Sequence, residues 1–130
     1  MIDIYNESLG EVTNAGNINI NCGSSNATTD YDGQGGDAGT FGMKGSGANV
    51  RHSGNLTAAG GNATGLHTNG GYGGEASFDS YQGDNNEEMG NVEVSVNINL
   101  SGGNADATGD GEGGDGGSIV RNTEYDSSCF

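Results

Sequence analysis

Apolar and polar residues alternate in three places along the chain. The clearest is Val92-Glu93-Val94-Ser95-Val96-Asn97-Ile98-Asn99-Leu100, where five apolar residues keep strict period two. Side chains two apart on a strand point the same way, so this pattern predicts a half-buried strand. Asn17-Ile18-Asn19-Ile20-Asn21-Cys22 repeats it, with Ile18, Ile20 and Cys22 on one face. The stretch from Asn49 to Thr57 is a weaker third copy, in which Val50 and Leu56 share a face and His52 and Gly54 lie between them. Three related strands are expected, one per unit, with their apolar faces meeting.

After each strand the period changes from two to three. Gly33, Gly36, Gly39, Gly42, Gly45 and Ala48 lie three apart, as do Gly102, Ala105, Thr108, Gly111, Gly114 and Gly117. In the middle of the chain Gly70, Gly73 and Ala76 are joined by Gly71, Gly74 and Ser77. Three residues per turn is the repeat of an extended left-handed helix of the polyproline-II kind. Glycine on one or two of its three faces lets backbones approach and bond to one another in place of side-chain burial. Packed glycine segments of this kind compete with irregular glycine-rich packing and with flexible loops. Glycine also interrupts every window long enough for a helix, so no α-helix is expected.

The two patterns recur together. The elements Gly33-Gln34-Gly35-Gly36-Asp37, Gly71-Tyr72-Gly73-Gly74-Glu75 and Gly111-Glu112-Gly113-Gly114-Asp115 are spaced by 38 and 40 residues. A recurrence of this length marks one structural unit used three times. The fold class expected is therefore all-β or irregular, a single domain spanning 1–130. Its three glycine-rich repeats cover about 17–48, 49–83 and 91–120, each a strand followed by a period-three segment, with a tail at 121–130.

Composition sharpens this picture. Leu, Ile, Val and Phe make up only 19 of 130 residues, and the net charge is −15. That combination is short of what a chain normally needs to bury a core of its own. Proline is absent and Lys44 is the only lysine, which is unlike a disordered tail. Order is then expected from backbone bonding and from neighbouring copies. Lys44, Arg51 and Arg121 are too few cations for a nucleic-acid face. No apolar run approaches the roughly 20 residues of a membrane-spanning helix. The opening Met1-Ile2-Asp3-Ile4-Tyr5 lacks the basic and apolar regions of a secretory signal. A virion part made in the cytosol is expected on that ground, with an extracellular location as the alternative if a leader was removed.

Gly70-Gly71-Tyr72-Gly73-Gly74 and Gly113-Gly114-Asp115-Gly116-Gly117 resemble the polyglycine-II sandwiches of tailed-phage tail-fibre adhesins. They are also similar to the glycine-rich antifreeze proteins of springtails. The first resemblance implies a packed slab whose end loops contact a receptor. The chain departs from it in lacking long uninterrupted tracts, and from the second in lacking a regular Thr-x-Thr face and a cysteine staple pattern.

Candidate chemistry is sparse. Asp110, Glu112 and Asp115 are acidic and glycine-spaced, so they are candidate calcium ligands, against the alternative of solvated charges that keep the surface soluble. Cys22 and Cys129 are the only thiols and are candidates for a disulfide within one chain or between subunits, against two unlinked thiols. His52 and His67 have no partner at metal-ligand spacing and no nucleophile context, and are expected as polar surface or strand residues. The aromatics Tyr31, Phe41, Tyr72, Phe78 and Tyr81 flank the glycine runs. Packing is their default role, and contact with a host-surface glycan or with a neighbouring subunit is the alternative.

No enzyme is expected. The leading function is a structural protein of a viral particle, in capsid decoration or in a tail or fibre. It would assemble with itself and with other structural subunits, without nucleic acid, membrane insertion or a required cofactor. A secreted or cell-surface filament or adhesin subunit, stabilised by calcium in one version, is the second reading. An ice-binding protein is the third.

Overall fold

The computed structural model of the chain describes residues 1–6, 10–27, 32–82 and 88–124. Among these there are short strands and no helix. The first circuit contains β1 (Ile2–Asn6), β2 (Gly10–Asn14), β3 (Ile18–Asn19), β4 (Ser25–Asn26) and β5 (Gly33–Gln34). The second contains β6 (Thr40–Ser46), β7 (Ala48–His52), β8 (Leu56–Thr57), β9 (Ala63–Gly65) and β10 (Thr68–Asn69). The third contains β11 (Glu75–Tyr81), β12 (Val92–Val94), β13 (Ile98–Asn99), β14 (Ala105–Ala107) and β15 (Gly111–Glu112), and β16 (Ser118–Glu124) begins a fourth. Every strand pairs in parallel with its counterpart one circuit away, giving one four-stranded and four three-stranded sheets. The chain is thus an all-β solenoid of three coils.

One half of the coil holds side chains. Parallel stacking puts equivalent positions above one another, so inward residues of successive coils form apolar columns. Val12, Val50 and Val92 form one column, and Ile18, Leu56 and Ile98 another. Ile4, Met43 and Phe78 form a third in the four-stranded sheet. Phe41, Met43, Val50, Leu56 and Phe78 are fully buried, and Phe41 meets Phe78 edge-on at 5.9 Å between ring centroids. The corner between β6 and β7 is turned by Gly47 at φ 63°, a left-handed conformation that favours glycine.

The other half holds almost none. An outgoing wall (58–63 in the second coil) and a returning wall (68–74) lie back to back. Their bonds recur every third residue: the N–H groups of Gly71 and Gly74 donate to the carbonyls of Gly61 and Ala58, at 2.9 and 2.8 Å. Gly114 and Gly117 donate in the same way to Gly103 and Leu100, at 2.9 and 2.6 Å, and Gly36 and Gly39 to Gly23 and Ile20, at 3.2 and 3.3 Å. Bonds across to the next coil link these rungs, since Gly61 donates to Gly36 and Gly103 to Gly71 at 2.9 and 2.8 Å. One chain of amide bonds therefore climbs the stack through residues 23, 36, 61, 71, 103 and 114. Walls and coils sit so close that a Cβ on Gly60 would overlap the Gly71 carbonyl of the opposite wall, and a Cβ on Gly61, Gly71, Gly103 or Gly114 would overlap a backbone carbonyl of the same wall one coil below.

Two details differ from the sequence reading. The stretch from Val92 to Leu100 bends into two strands, β12 and β13, rather than one. The glycine element does not stack on itself at its 38-residue spacing: Gly33 lies beside Thr68, and Thr68 beside Gly111, steps of 35 and 43. The middle returning wall is shifted by three residues, one full turn, a slip to which a period-three pattern is blind.

Candidate functional surfaces

His52, the most unusual buried group, ends β7 with its ring between Phe41 and Phe78, at centroid distances of 5.3 and 5.7 Å. Its Nδ1 lies 3.1 Å from Asn14 Nδ2 of the coil below, and its Nε2 is buried without a partner. Burial lowers its pKa from the ordinary histidine value, opposed by the Asn14 backbone. It is a strand residue, one of the two places expected for it, but it is buried in the core and not at the surface. His67 is exposed.

Asp110, Glu112 and Asp115 are all exposed on the returning side of the third coil. Their backbone carbonyls accept the N–H groups of Thr68, Gly70 and Gly73 at 3.1, 2.8 and 2.9 Å, so their placement serves the stack. Among the described residues no three His, Cys, Asp or Glu side chains come together as a metal site. Cys22 is exposed beside Gly36 and has no disulfide partner among the described residues. Cys129, its candidate disulfide partner, lies outside the described residues.

Asparagines knit the outgoing side. Oδ1 of Asn17 accepts the Asn55 N–H at 2.9 Å, Oδ1 of Asn21 that of Ala59 at 2.8 Å, and Oδ1 of Asn62 that of Asn104 at 2.8 Å. Each amide thus satisfies a backbone donor of the coil above, which accounts for much of the asparagine content. Arg51 and Glu93 form an exposed ion pair at 2.7 Å between adjacent coils. The Glu93 hydrogen bond, more than its charge, raises the Arg51 pKa.

Two surfaces remain that no internal contact accounts for. The first is the first-coil end of the stack. There β1 to β5 are edge strands with no further strand beside them among the described residues, Ile4, Ile18 and Ile20 are half-buried, and Ile2 is exposed. Gly23 belongs to the column of Gly61 and Gly103, yet a Cβ on it would meet nothing within 4 Å. The opposite end likewise leaves the edges of β12 to β15 and half-buried Val94, Ile98 and Leu100, but there β16 adds a fourth strand to the large sheet and carries Arg121 at the core-side register position over Phe78. A charge at such a position discourages further strand pairing.

The second surface is a groove of about 190 Å³ on the outer face of the returning wall. Gln34, Asn69 and Glu112 stack in register on one side of it. Tyr72, 56% exposed, and Asp115 form the other side, over bare backbone at Gly70, Gly113 and Gly114. Asp37 Oδ1 accepts the Tyr72 backbone N–H at 2.9 Å and so anchors that position. Tyr72 was a candidate from sequence, but Gln34 and Asn69 were not. Only the shifted register brings them together, and spacing carried no sign of it.

Comparison with known proteins adds no relative: no family model, no curated protein and no solved structure matches the chain.

Proposed function

We propose that the chain is a non-enzymatic structural subunit of a multi-subunit assembly. A viral capsid decoration or a tail-fibre component is the form that the sequence resemblance favours. Assembly runs through the first-coil end, by contacts rich in backbone. The observation that carries this reading is Gly23. Its column companions Gly61 and Gly103 are glycine because a carbonyl lies where a side chain would stand, whereas Gly23 faces open space. A bare backbone there has the shape that a further closely packed layer requires. The edge strands and the isoleucines at the same end give that layer hydrogen bonds and apolar area. A secreted or cell-surface adhesin subunit is the second reading, favoured by the exposed Tyr72 groove.

Sedimentation of the purified chain over a range of concentrations, with electron microscopy of the product, tests the proposal. Wild type is expected to self-associate or to incorporate into the native particle. Gly23→Leu is expected to keep the fold and lose assembly. A wild-type chain that stays a monomer at every concentration and is absent from any particle overturns it.

A further inference from the structure

We infer that the Tyr72 groove is a saccharide-binding site for a neutral sugar ring. This does not depend on the assembly reading, because the groove lies on the side of the stack and not on its end. Tyr72 is the one aromatic lining the groove, and it leaves more than half of its surface to solvent above the bare backbone of Gly70, Gly113 and Gly114. An exposed aromatic face suits the C–H face of a pyranose, apolar on one side and wet at the rim. Around it the polar groups are mixed. Gln34 and Asn69 each offer amide donors and an acceptor, while Glu112 and Asp115 offer acceptors only.

That mixture selects the ligand class. A cation would need acceptors alone, and the two amide NH₂ groups would be wasted or repulsive. Sugar hydroxyls both donate and accept, so amides and carboxylates together match them. Bonds from hydroxyl to carboxylate are charge-assisted and are the stronger ones. An anionic sugar is disfavoured by Glu112, Asp115 and Asp37 at the groove and by the net charge of −15. The volume falls below the roughly 300 Å³ at which drug-sized pockets begin, so one ring fits. A second hollow, of about 370 Å³ and lined by Ala38, Gly73, Glu75 and Gly116, lies further along the same wall. It leaves room for the next ring of an oligosaccharide.

The test is saturation-transfer NMR of the whole chain against neutral, amino and acidic oligosaccharides, with a lysine-rich peptide as a fourth arm. Neutral saccharides are expected to bind, acidic ones not. Tyr72→Ala and Asn69→Ala are expected to weaken binding at least tenfold without changing the melting temperature. Tyr72→Phe keeps the ring face and is expected to retain binding. Absence of neutral-sugar binding at millimolar concentration, equal binding by Tyr72→Ala, or preference for the acidic sugars or the basic peptide would each overturn the inference. Loss of binding with assembly intact, or the reverse, separates this site from the assembly surface.

Discussion

Replacing Gly61 by alanine adds one methyl group at the point where the two walls and two coils meet. Its Cβ would overlap the Gly23 carbonyl and lie 3.1 Å from the Gly36 nitrogen. Both neighbours are backbone, so neither can swing aside as a side chain would. Gly61 lies outside the left-handed φ region, so the cost comes from space alone and not from dihedral strain. Overpacking of this kind costs about 1–3 kcal/mol. Forcing the coils apart also parts the Gly61 N–H from the Gly36 carbonyl, bonded at 2.9 Å. Leaving these two groups unpaired costs about 1–3 kcal/mol apiece. The sum, roughly 3–6 kcal/mol after partial relaxation, is a large share of the roughly 5–15 kcal/mol that holds a typical domain. Gly23→Ala is the matched control, since the same methyl in the same column meets nothing. It is expected to be neutral, or to stabilise by about 0.4–1 kcal/mol through the unfolded chain. Urea unfolding followed by circular dichroism reads both. The reasoning fails if Gly61→Ala melts within about 1 kcal/mol of wild type, or if Gly23→Ala is as damaging as Gly61→Ala.

Burial keeps His52 neutral, so its folded pKa lies below its unfolded value. Between the two the unfolded state binds more protons, and stability falls as pH drops below about 6.5. Melting temperatures at pH 7 and pH 5.5 are expected to differ, and His52→Leu is expected to shrink that difference; an undiminished difference in the variant would assign the effect to carboxylates instead. Phe78→Ala removes the ring that contacts both Phe41 and His52. It is expected to cost about 3–5 kcal/mol in chemical denaturation. The Arg51–Glu93 pair is solvent-exposed, so Glu93→Gln is expected to leave the unfolding midpoint unchanged within error.

Much of this architecture is legible residue by residue. Alternation at Ile18 and Ile20, and at Val92 to Leu100, marks strands that the fold contains; the glycine period of three marks the returning walls at Gly33 to Gly39, Gly70 to Gly74 and Gly111 to Gly117, but its continuation through Gly42, Gly45 and Ala48 falls in β6 and β7. The four-stranded sheet is harder to read. Its alternation, Phe41 and Met43 in one strand and Ala76 and Phe78 in another, is interrupted by Gly42 and Gly45 and hidden among glycines. Those strands nevertheless supply the three largest fully buried side chains, Phe41, Phe78 and Met43, so the chain has more of an apolar interior than its composition suggests. His52 was unreadable because polarity argues against burial, and only the two phenylalanine rings beside it explain its place. The Tyr72 groove was unreadable because a three-residue slip leaves a period-three pattern unchanged. Stacking register is set in space, by which column fills which gap.

The central claim is that half of the cross-section is held by main-chain hydrogen bonds rather than by side chains. Amide hydrogen exchange measured by NMR at the linked donors Gly36, Gly61, Gly71, Gly103 and Gly114 tests it most directly. The account predicts protection close to that of Val50 and Phe78 in the side-chain core, lost only on global unfolding. Exchange of those glycines at the rate of an open loop, while Val50 and Phe78 stay protected, would contradict it.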